Sequence, residues 1–577
     1  MNDSTLLSDL VRVAAGRGPS ATALTHGQQH LAYGALEELM QSVARGLVAL
    51  GLQRGERVAV YLEKRPEMVA TCFGSAAAGT VFVPLNPLLK PEQVGYILRD
   101  CGVRLLVTSA DRLALLQPVL AQCPDLRHVV VTGENSGATA AAASPNATVT
   151  RWSDFIAAPA KPLHRVIDTD MLAILYTSGS TGRPKGVVLS HRNMVAGAKS
   201  VAGYLGNHAG DTLLAALPLS FDAGFSQLTT AFHAGARVVL LNYLLPRDVL
   251  KAMEREQVTG LTAVPPLYIQ LTSLAWPAAI DQHLRYFANT GGRMPRETLT
   301  ALRQRVPKAK PFLMYGLTEA FRSTYLPPEE VDRRPDSIGK AIPNAEILVL
   351  REDGTECAAD EPGELVHRGA LVGMGYWGDA EKTAERYKPL PVGVGGREGG
   401  LMLPETAVFS GDTVRRDAEG FLYFIGRRDE MMKTSGYRVS PTEVEEVLYA
   451  TKLVGECVAF GVDHPALGQA IQVIATATDS SDAVPVDELL AECKRRMPAY
   501  MVPHGVQGLR GPRATPTARS ATEAAGLRAE LSSERPRRPS GQRQRRWRRH
   551  EPAERPPPCT CRWTSSPSRT ANWWSAA

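Results

Sequence analysis

At 577 residues the chain is too long for one simple core, so at least two domains are expected. A hydrophobic fraction of 44% and a charged fraction of 21% are ordinary for a soluble globular protein. No run of about 18 apolar residues exists to span a bilayer, and Met1-Asn2-Asp3-Ser4 lacks a secretory leader's basic and apolar segments, so a cytoplasmic location is expected.

The net charge of +6 invites a nucleic-acid reading until it is located: residues 504–577 hold fifteen Arg, no Lys and five acidic residues, or +10, which leaves −4 on the rest. The positive charge belongs to the tail alone. Cys72, Cys101, Cys123, Cys357, Cys457 and Cys493 are scattered without CxxC or Cys/His spacing, as buried free thiols would be.

In chain order, Leu36, Leu39, Met40, Val43, Leu47 and Leu50 fall at helical spacing before Gly51, and the strand Arg57 to Leu62 follows. Strands at 82–85, 104–107 and 128–131, separated by helix-length segments, give the pattern of a parallel sheet covered on both faces. The series continues through 213–219, 236–241 and 261–264. From Ala345 the strands shorten around turn signals such as Asp353-Gly354 and Glu419-Gly420, as in a β-rich subdomain. Helix 443–449, strands 456–462 and 470–476 and helix 486–496 then form a small α+β domain. Beyond Pro503 periodicity disappears, and the Arg/Pro/Ser/Trp-rich tail is expected to lack packed structure. The expected fold class is therefore α/β, with doubly wound subdomains and a β-rich subdomain in a large N-terminal domain (1–426), a small α+β domain (427–503) and a disordered tail (504–577).

The short apolar strand Met171 to Tyr176 runs into Thr177-Ser178-Gly179-Ser180-Thr181-Gly182-Arg183-Pro184-Lys185-Gly186, with three glycines, four hydroxyls and one lysine. Glycines let backbone N–H groups turn inward, and hydroxyls and an ammonium add donors, so the composition suits an oligoanion such as phosphate. Pro184 before Lys185 and Gly186 after it rule out the Walker pattern. The stretch resembles the signature loop of the AMP-forming adenylating enzymes: acyl-CoA synthetases, adenylation domains of nonribosomal peptide synthetases, and firefly luciferase. That resemblance implies attack of a carboxylate on the α-phosphate of ATP, giving an acyl adenylate and pyrophosphate, and it implies ATP, Mg²⁺ and, as acceptor, CoA.

Further segments match in the family's order. Tyr315-Gly316-Leu317-Thr318-Glu319 follows the strand Phe312 to Met314, at a strand end where open α/β sheets bind ligands. By resemblance Tyr315 stacks on adenine, Thr318 contacts the α-phosphate and Glu319 helps hold Mg²⁺. Asn289-Thr290-Gly291-Gly292 is similar to the adenine-side loop. Asp412, which alone reads as a turn residue after Gly411, is implied to bind ribose together with Arg427. Gly426-Arg427-Arg428-Asp429 and Lys433 with Gly436-Tyr437-Arg438 match the hinge and the segment that follows it. The resemblance makes Asp429 the pivot about which the small domain rotates, carrying Lys433, Gly436 and Tyr437 toward the acyl adenylate for thioester formation. Lys185, Thr181, Thr318, Glu319 and Lys433 are the expected catalytic set.

The pattern breaks near the end. Met497-Pro498-Ala499-Tyr500-Met501-Val502-Pro503 resembles the family's last motif, but the window where Gly-Lys should follow reads Thr515-Pro516-Thr517-Ala518-Arg519-Ser520-Ala521-Thr522. Thr517-Ala518-Arg519-Ser520 can be encoded ACG GCA AGA TCG, and those bases contain GGC AAG ATC, Gly-Lys-Ile, in another frame. A frameshift just after Pro503 is therefore expected, and with it impaired adenylation. A rival class is an inactive adenylating fold whose Arg/Trp tail binds nucleic acid; no recognisable module in the tail favours it.

The acyl pocket is expected near Phe221, Asp222 and Gly316. Asp222 has two readings: by resemblance it pairs with the ammonium of an amino acid, or it caps the helix that follows. Pro218-Leu219-Ser220-Phe221-Asp222 is also similar to bacterial acyl-CoA ligases found with exosortase systems. With no carrier-protein motif in the chain, the acceptor is a separate molecule, CoA first and an acyl carrier protein second.

Overall fold

The computed structural model describes residues 4–89, 91–133, 147–159, 161–177, 184–396, 404–427, 432–434, 437–439, 441–464, 467–478, 483–497 and 499–509. Three sheets are built from them. The first has eight strands, and its parallel centre runs in the order Met171–Thr177, Val81–Pro84, Arg57–Tyr61, Val103–Ser109, His128–Thr132, Thr148–Arg151. The second has fourteen, and its parallel half includes Thr212–Ala215, Gly260–Ala263, Tyr286–Asn289 and Lys310–Tyr315. The third, of five strands, belongs to the small C-terminal unit.

Helices packed between the first two sheets carry the core. Helix Tyr33–Ala49 buries Leu36, Met40, Val43 and Leu47 completely, as its 3.6-residue apolar spacing requires. Its neighbour Pro66–Ala78 brings Phe73 edge-on to Phe232, with centroids 5.2 Å apart. Phe82 of the first sheet stacks on Phe225 at 5.0 Å, pinning helix Asp222–Ala234 against that sheet. Such aromatic contacts add specificity to area burial, and here they fix the height of the residue at the helix start, Asp222.

One expectation changes and two are sharpened. The β-rich strands Ala345–Leu350, Gly363–Gly369, Thr406–Arg416 and Leu422–Arg427 do not form a sheet of their own; Ser337–Ala341 pairs with Leu422–Arg427 and joins them to the second sheet. The strand Met171–Thr177 turns back as a hairpin through Lys185–Ser190, its antiparallel partner. Packed chain also continues past Pro503: Gly505–Leu509 lies parallel to Gly468–Thr476, from Gln472↔Gly505 to Thr476↔Leu509.

The small unit is an α+β sandwich of helices Pro441–Ala450 and Val486–Arg496 on its sheet. It touches the large unit through Arg293–Glu446 at 3.5 Å and Lys452–Glu297 at 3.7 Å. Among the described residues no helix is long and apolar enough to cross a membrane.

Candidate active site

Just past the C-terminal ends of strands Arg57–Tyr61 and Thr212–Ala215, Lys64 Nζ donates to the Ala216 carbonyl at 2.8 Å, so the two large sheets meet at the ends where open α/β sheets bind ligands. Thr177 and Lys185 stand opposite each other across the hairpin, so the glycine-rich loop closes it; Ser178, Gly179, Ser180, Thr181 and Gly182 lie outside the described residues. Gly186 must be glycine, because a Cβ there would sit 2.6 Å from Ile174.

Lys185 Nζ lies 5.5 Å from the Tyr376 ring centroid. Burial, then the cations Lys382 and Arg386, lower its pKa, while Asp379 and Glu319 oppose them. Tyr376 donates its hydroxyl to Glu319 Oε1 at 2.6 Å and meets Tyr387 edge-on at 5.7 Å. Burial and the Glu319 carboxylate raise the Tyr376 phenol, which keeps it a donor. Three cations against two carboxylates leave this end of the cleft positive, which fits an anionic ligand of several charges.

Tyr315 ends the strand Lys310–Tyr315, and its hydroxyl donates to Asp412 Oδ2. Its ring lies 6.2 Å from Phe424. Asp412 is buried, and Gly411 before it adopts φ +72° with its N–H on Glu364 Oε1 at 2.8 Å. A Cβ on Gly411 would fall 2.2 Å from Arg386 Nη1, so only glycine lets that arginine lie alongside. Gly291 (φ +75°) and Gly292 follow strand Tyr286–Asn289, and Asn289 Nδ2 donates to the Gly292 carbonyl at 2.8 Å. Gly316 is close-packed, a Cβ there lying 3.2 Å from Arg322 Cα.

Beyond Tyr315 the chain makes a short 3₁₀ turn, Thr318–Ala320, and Phe321 takes a positive φ of +56°. The buried Phe321 ring packs on Gly197, where a Cβ would lie 2.4 Å away. The turn sends Glu319 toward Tyr376 and Arg322 inward. Arg322 Nη1 donates to Thr290 Oγ1 at 3.2 Å and lies 3.4 Å from Asp222 Oδ2. Thr318 Oγ1 donates to Asp222 Oδ1 at 3.1 Å.

Asp222 is therefore not a helix cap. Phe221 is the N-cap of Asp222–Ala234, no side chain caps it, and the Asp222 carboxylate turns to Thr318 and Arg322 instead. Burial raises its pKa, and the guanidinium and the Thr318 hydroxyl pull it back. Sequence reasoning missed Arg322 and Tyr376: neither sits in a motif, and the one signal for Arg322 was a cation in the otherwise uncharged run Ala320-Phe321-Arg322-Ser323-Thr324.

Of the remaining expected residues the structure describes at most the backbone. Arg427 pairs with Asp412 through the backbone, and Lys433 and Tyr437 are backbone positions in the hairpin of the small unit. Asp429, Gly436 and the window 515–522 lie outside the described residues. For a metal, the described residues offer no group of three His, Cys, Asp or Glu. A Mg²⁺ ion fits here only as one carboxylate, Glu319, plus oxygens of a bound phosphate, which is how that ion is usually held.

The architecture and the cleft define an adenylate-forming ligase fold, and comparison with known proteins assigns the family. A model of the AMP-binding enzymes matches residues 11–377 and one of the AMP-binding enzyme C-terminal domain matches 443–519, so the chain belongs to the AMP-binding enzyme family. It is 30% identical over 499 residues to a feruloyl-CoA synthase of Amycolatopsis sp, covering 85% of this chain and 92% of that one. It is 31% identical over 493 residues to an L-proline–[L-prolyl-carrier protein] ligase of Streptomyces coelicolor, covering 83% and 88%. The crystal structure of the anthranilate CoA ligase AuaEII in complex with anthranoyl-AMP shares the fold with a TM-score of 0.78 at 24% identity, covering 91% of this chain and 98% of that one.

Proposed function

We propose that the protein joins a carboxylic acid to CoA through an acyl adenylate. In the first half-reaction a carboxylate oxygen attacks the α-phosphorus of ATP and pyrophosphate leaves. In the second the CoA sulfur gives up its proton and attacks the acyl carbon, and AMP leaves. The observation that carries this reading is the Tyr315–Asp412 pair set in one cleft with Lys185 and Glu319.

Thr177 to Gly182 and Lys185 hold the phosphates, Thr318 the α-phosphate, and Tyr315, Gly291, Gly292 and Gly316 the adenine side. Asp412 and Arg427 take the ribose. Mg²⁺, when bound at Glu319, supplies charge stabilisation to the phosphate oxygens. Residues 1–426 form the large domain; the small one turns about Asp429 to bring Lys433, Gly436 and Tyr437 to the adenylate. Without Gly-Lys in 515–522 the first half-reaction lacks a positioned cation, and a guanidinium at Arg519 does not replace an ammonium. Adenylation is then slowed about 10²- to 10³-fold.

ATP–pyrophosphate exchange over a panel of acids, followed by thioester formation with CoA, tests the reading. No exchange with any acid, even after Gly-Lys-Ile is restored at 518–520, would defeat it. Resequencing the source DNA across codons 495 to 530 decides whether a single base separates this chain from an uninterrupted motif.

A carrier-protein acceptor is the second reading, favoured by the similarity to the L-prolyl-carrier protein ligase. An amino acid as substrate is less supported, because the carboxylate that would take its ammonium already faces Arg322.

A further inference from the structure

A cavity lies between helix Asp222–Ala234, helix His191–Leu205 and strands of the second sheet, and its lining residue Arg322 is the one that pairs with Asp222. Part of its wall is apolar, with Leu213 and Met314. The rest is polar and buried: Arg322 (2% exposed), Gln227 (5%) and Thr230 (2%). Each carries an atom with no hydrogen-bond partner: Arg322 Nε, Gln227 Oε1 and Thr230 Oγ1. Buried polar groups are rarely left unpaired in native proteins, and such a cluster calls for a ligand or a water.

The three orphans ask for a specific partner. Gln227 Nε2 donates to the Gly224 carbonyl at 3.1 Å, which fixes the amide with its oxygen as the free acceptor. Arg322 Nε–H is a donor only. A hydroxyl satisfies both, accepting from the guanidinium and donating to the amide oxygen. A second carboxylate does not: it would face Gln227 Oε1 with no proton to give, and Asp222 already neutralises Arg322. The cavity, of about 10 Å³, has room for one group of water or hydroxyl size. Asp222 joins Arg322 to Thr318, the residue assigned to the reacting end, so only a short acid spans the two.

Resting on the acid-activation reading above, we propose that Arg322 is a specificity-determining residue, and that with Gln227 it selects a short hydroxylated carboxylic acid by its distal hydroxyl. A site built to bond a substrate hydroxyl discriminates strongly against the analogue lacking it, because its own polar groups are then left unpaired.

The test uses non-hydrolysable acyl-sulfamoyl adenosines, which bind whether or not the chain turns over. Butanoyl and hexanoyl forms are compared by calorimetry with the same chains hydroxylated at each carbon in turn. The best hydroxylated form is expected to bind about 10- to 100-fold tighter than its parent. Gln227→Leu, which leaves the Arg322–Asp222 contact in place, is expected to abolish that preference without weakening the parent. Equal binding of hydroxylated and parent forms, with a water held in the cavity instead, would overturn the proposal. A preference that survives Gln227→Leu would overturn it as well. If none of the compounds binds, the acid-activation reading falls and takes the proposal with it.

Discussion

The side of the cleft proposed above for the nucleotide and the side proposed for the acid differ in how far their polar groups pair with one another. On the first side Tyr315 bonds Asp412 and Tyr376 bonds Glu319, while Asn289 Oδ1 is left without a partner. On the acyl side Arg322, Gln227 and Thr230 keep unpaired atoms inside a buried cavity. Where every ligand is the same molecule, a site profits from rigid prearrangement; where the ligand distinguishes one enzyme from its relatives, the polar groups wait for it.

The contrast predicts where damage will register. The largest effect is expected from Glu319→Gln, which leaves the Tyr376 hydroxyl an amide to bond but removes the charge; ATP–pyrophosphate exchange should fall about 10²- to 10³-fold with every acid alike. A loss confined to some acids would erase the division between the two sides. Lys433→Ala should lower thioester formation about 10²-fold while leaving exchange intact, as loss of a positioning group in the second step alone would. Equal loss in both steps would remove that residue from its proposed role.

The frame common to both sides has its own signature. His191 is buried at the start of the helix that carries Gly197, and its Nδ1 accepts the Leu7 N–H at 3.1 Å. Burial pushes its pKa from 6.5 down to about 4. The unfolded chain therefore binds a proton below pH 6.5 that the folded chain refuses until about pH 4. Stability is full above 6.5 and falls by about 3 kcal/mol as the pH drops to 4. Chemical denaturation across that window should show the slope, and His191→Asn, which retains an acceptor for Leu7, should flatten it. The smallest effect is expected from Gly411→Ala, which collides with Arg386 and strains φ +72°. It should cost about 1–3 kcal/mol and raise the KM for ATP with every acid.

What the sequence disclosed follows the same division. Helix Tyr33–Ala49 and the parallel strands were legible because a buried face writes its period into consecutive residues. Tyr315, Glu319 and Asp412 stood out because each sits in a short motif, and the fold brings Tyr315 and Asp412 together. Tyr376 and Arg322 were not, since a side chain's role there depends on partners 57 and 100 positions away. The strand Gly505–Leu509 was hidden for a different reason: its apolar content is little more than Val506 and Leu509, and its pairing with Gly468–Thr476 is made by the backbone, which composition does not reveal.

Phe321 ties the two sides together. Its positive-φ backbone, with the ring packed on Gly197, lies between Glu319 and Arg322 within one turn. A rotation there would move Glu319, proposed to serve every adenylation, and Arg322, proposed to choose among acids, at the same time. Speed and fidelity are therefore not separately adjustable at this point in the chain. A variant selected for a new acid through a shift of this turn would inherit a slower enzyme, whereas one altered at Gln227 or Thr230 would keep its rate.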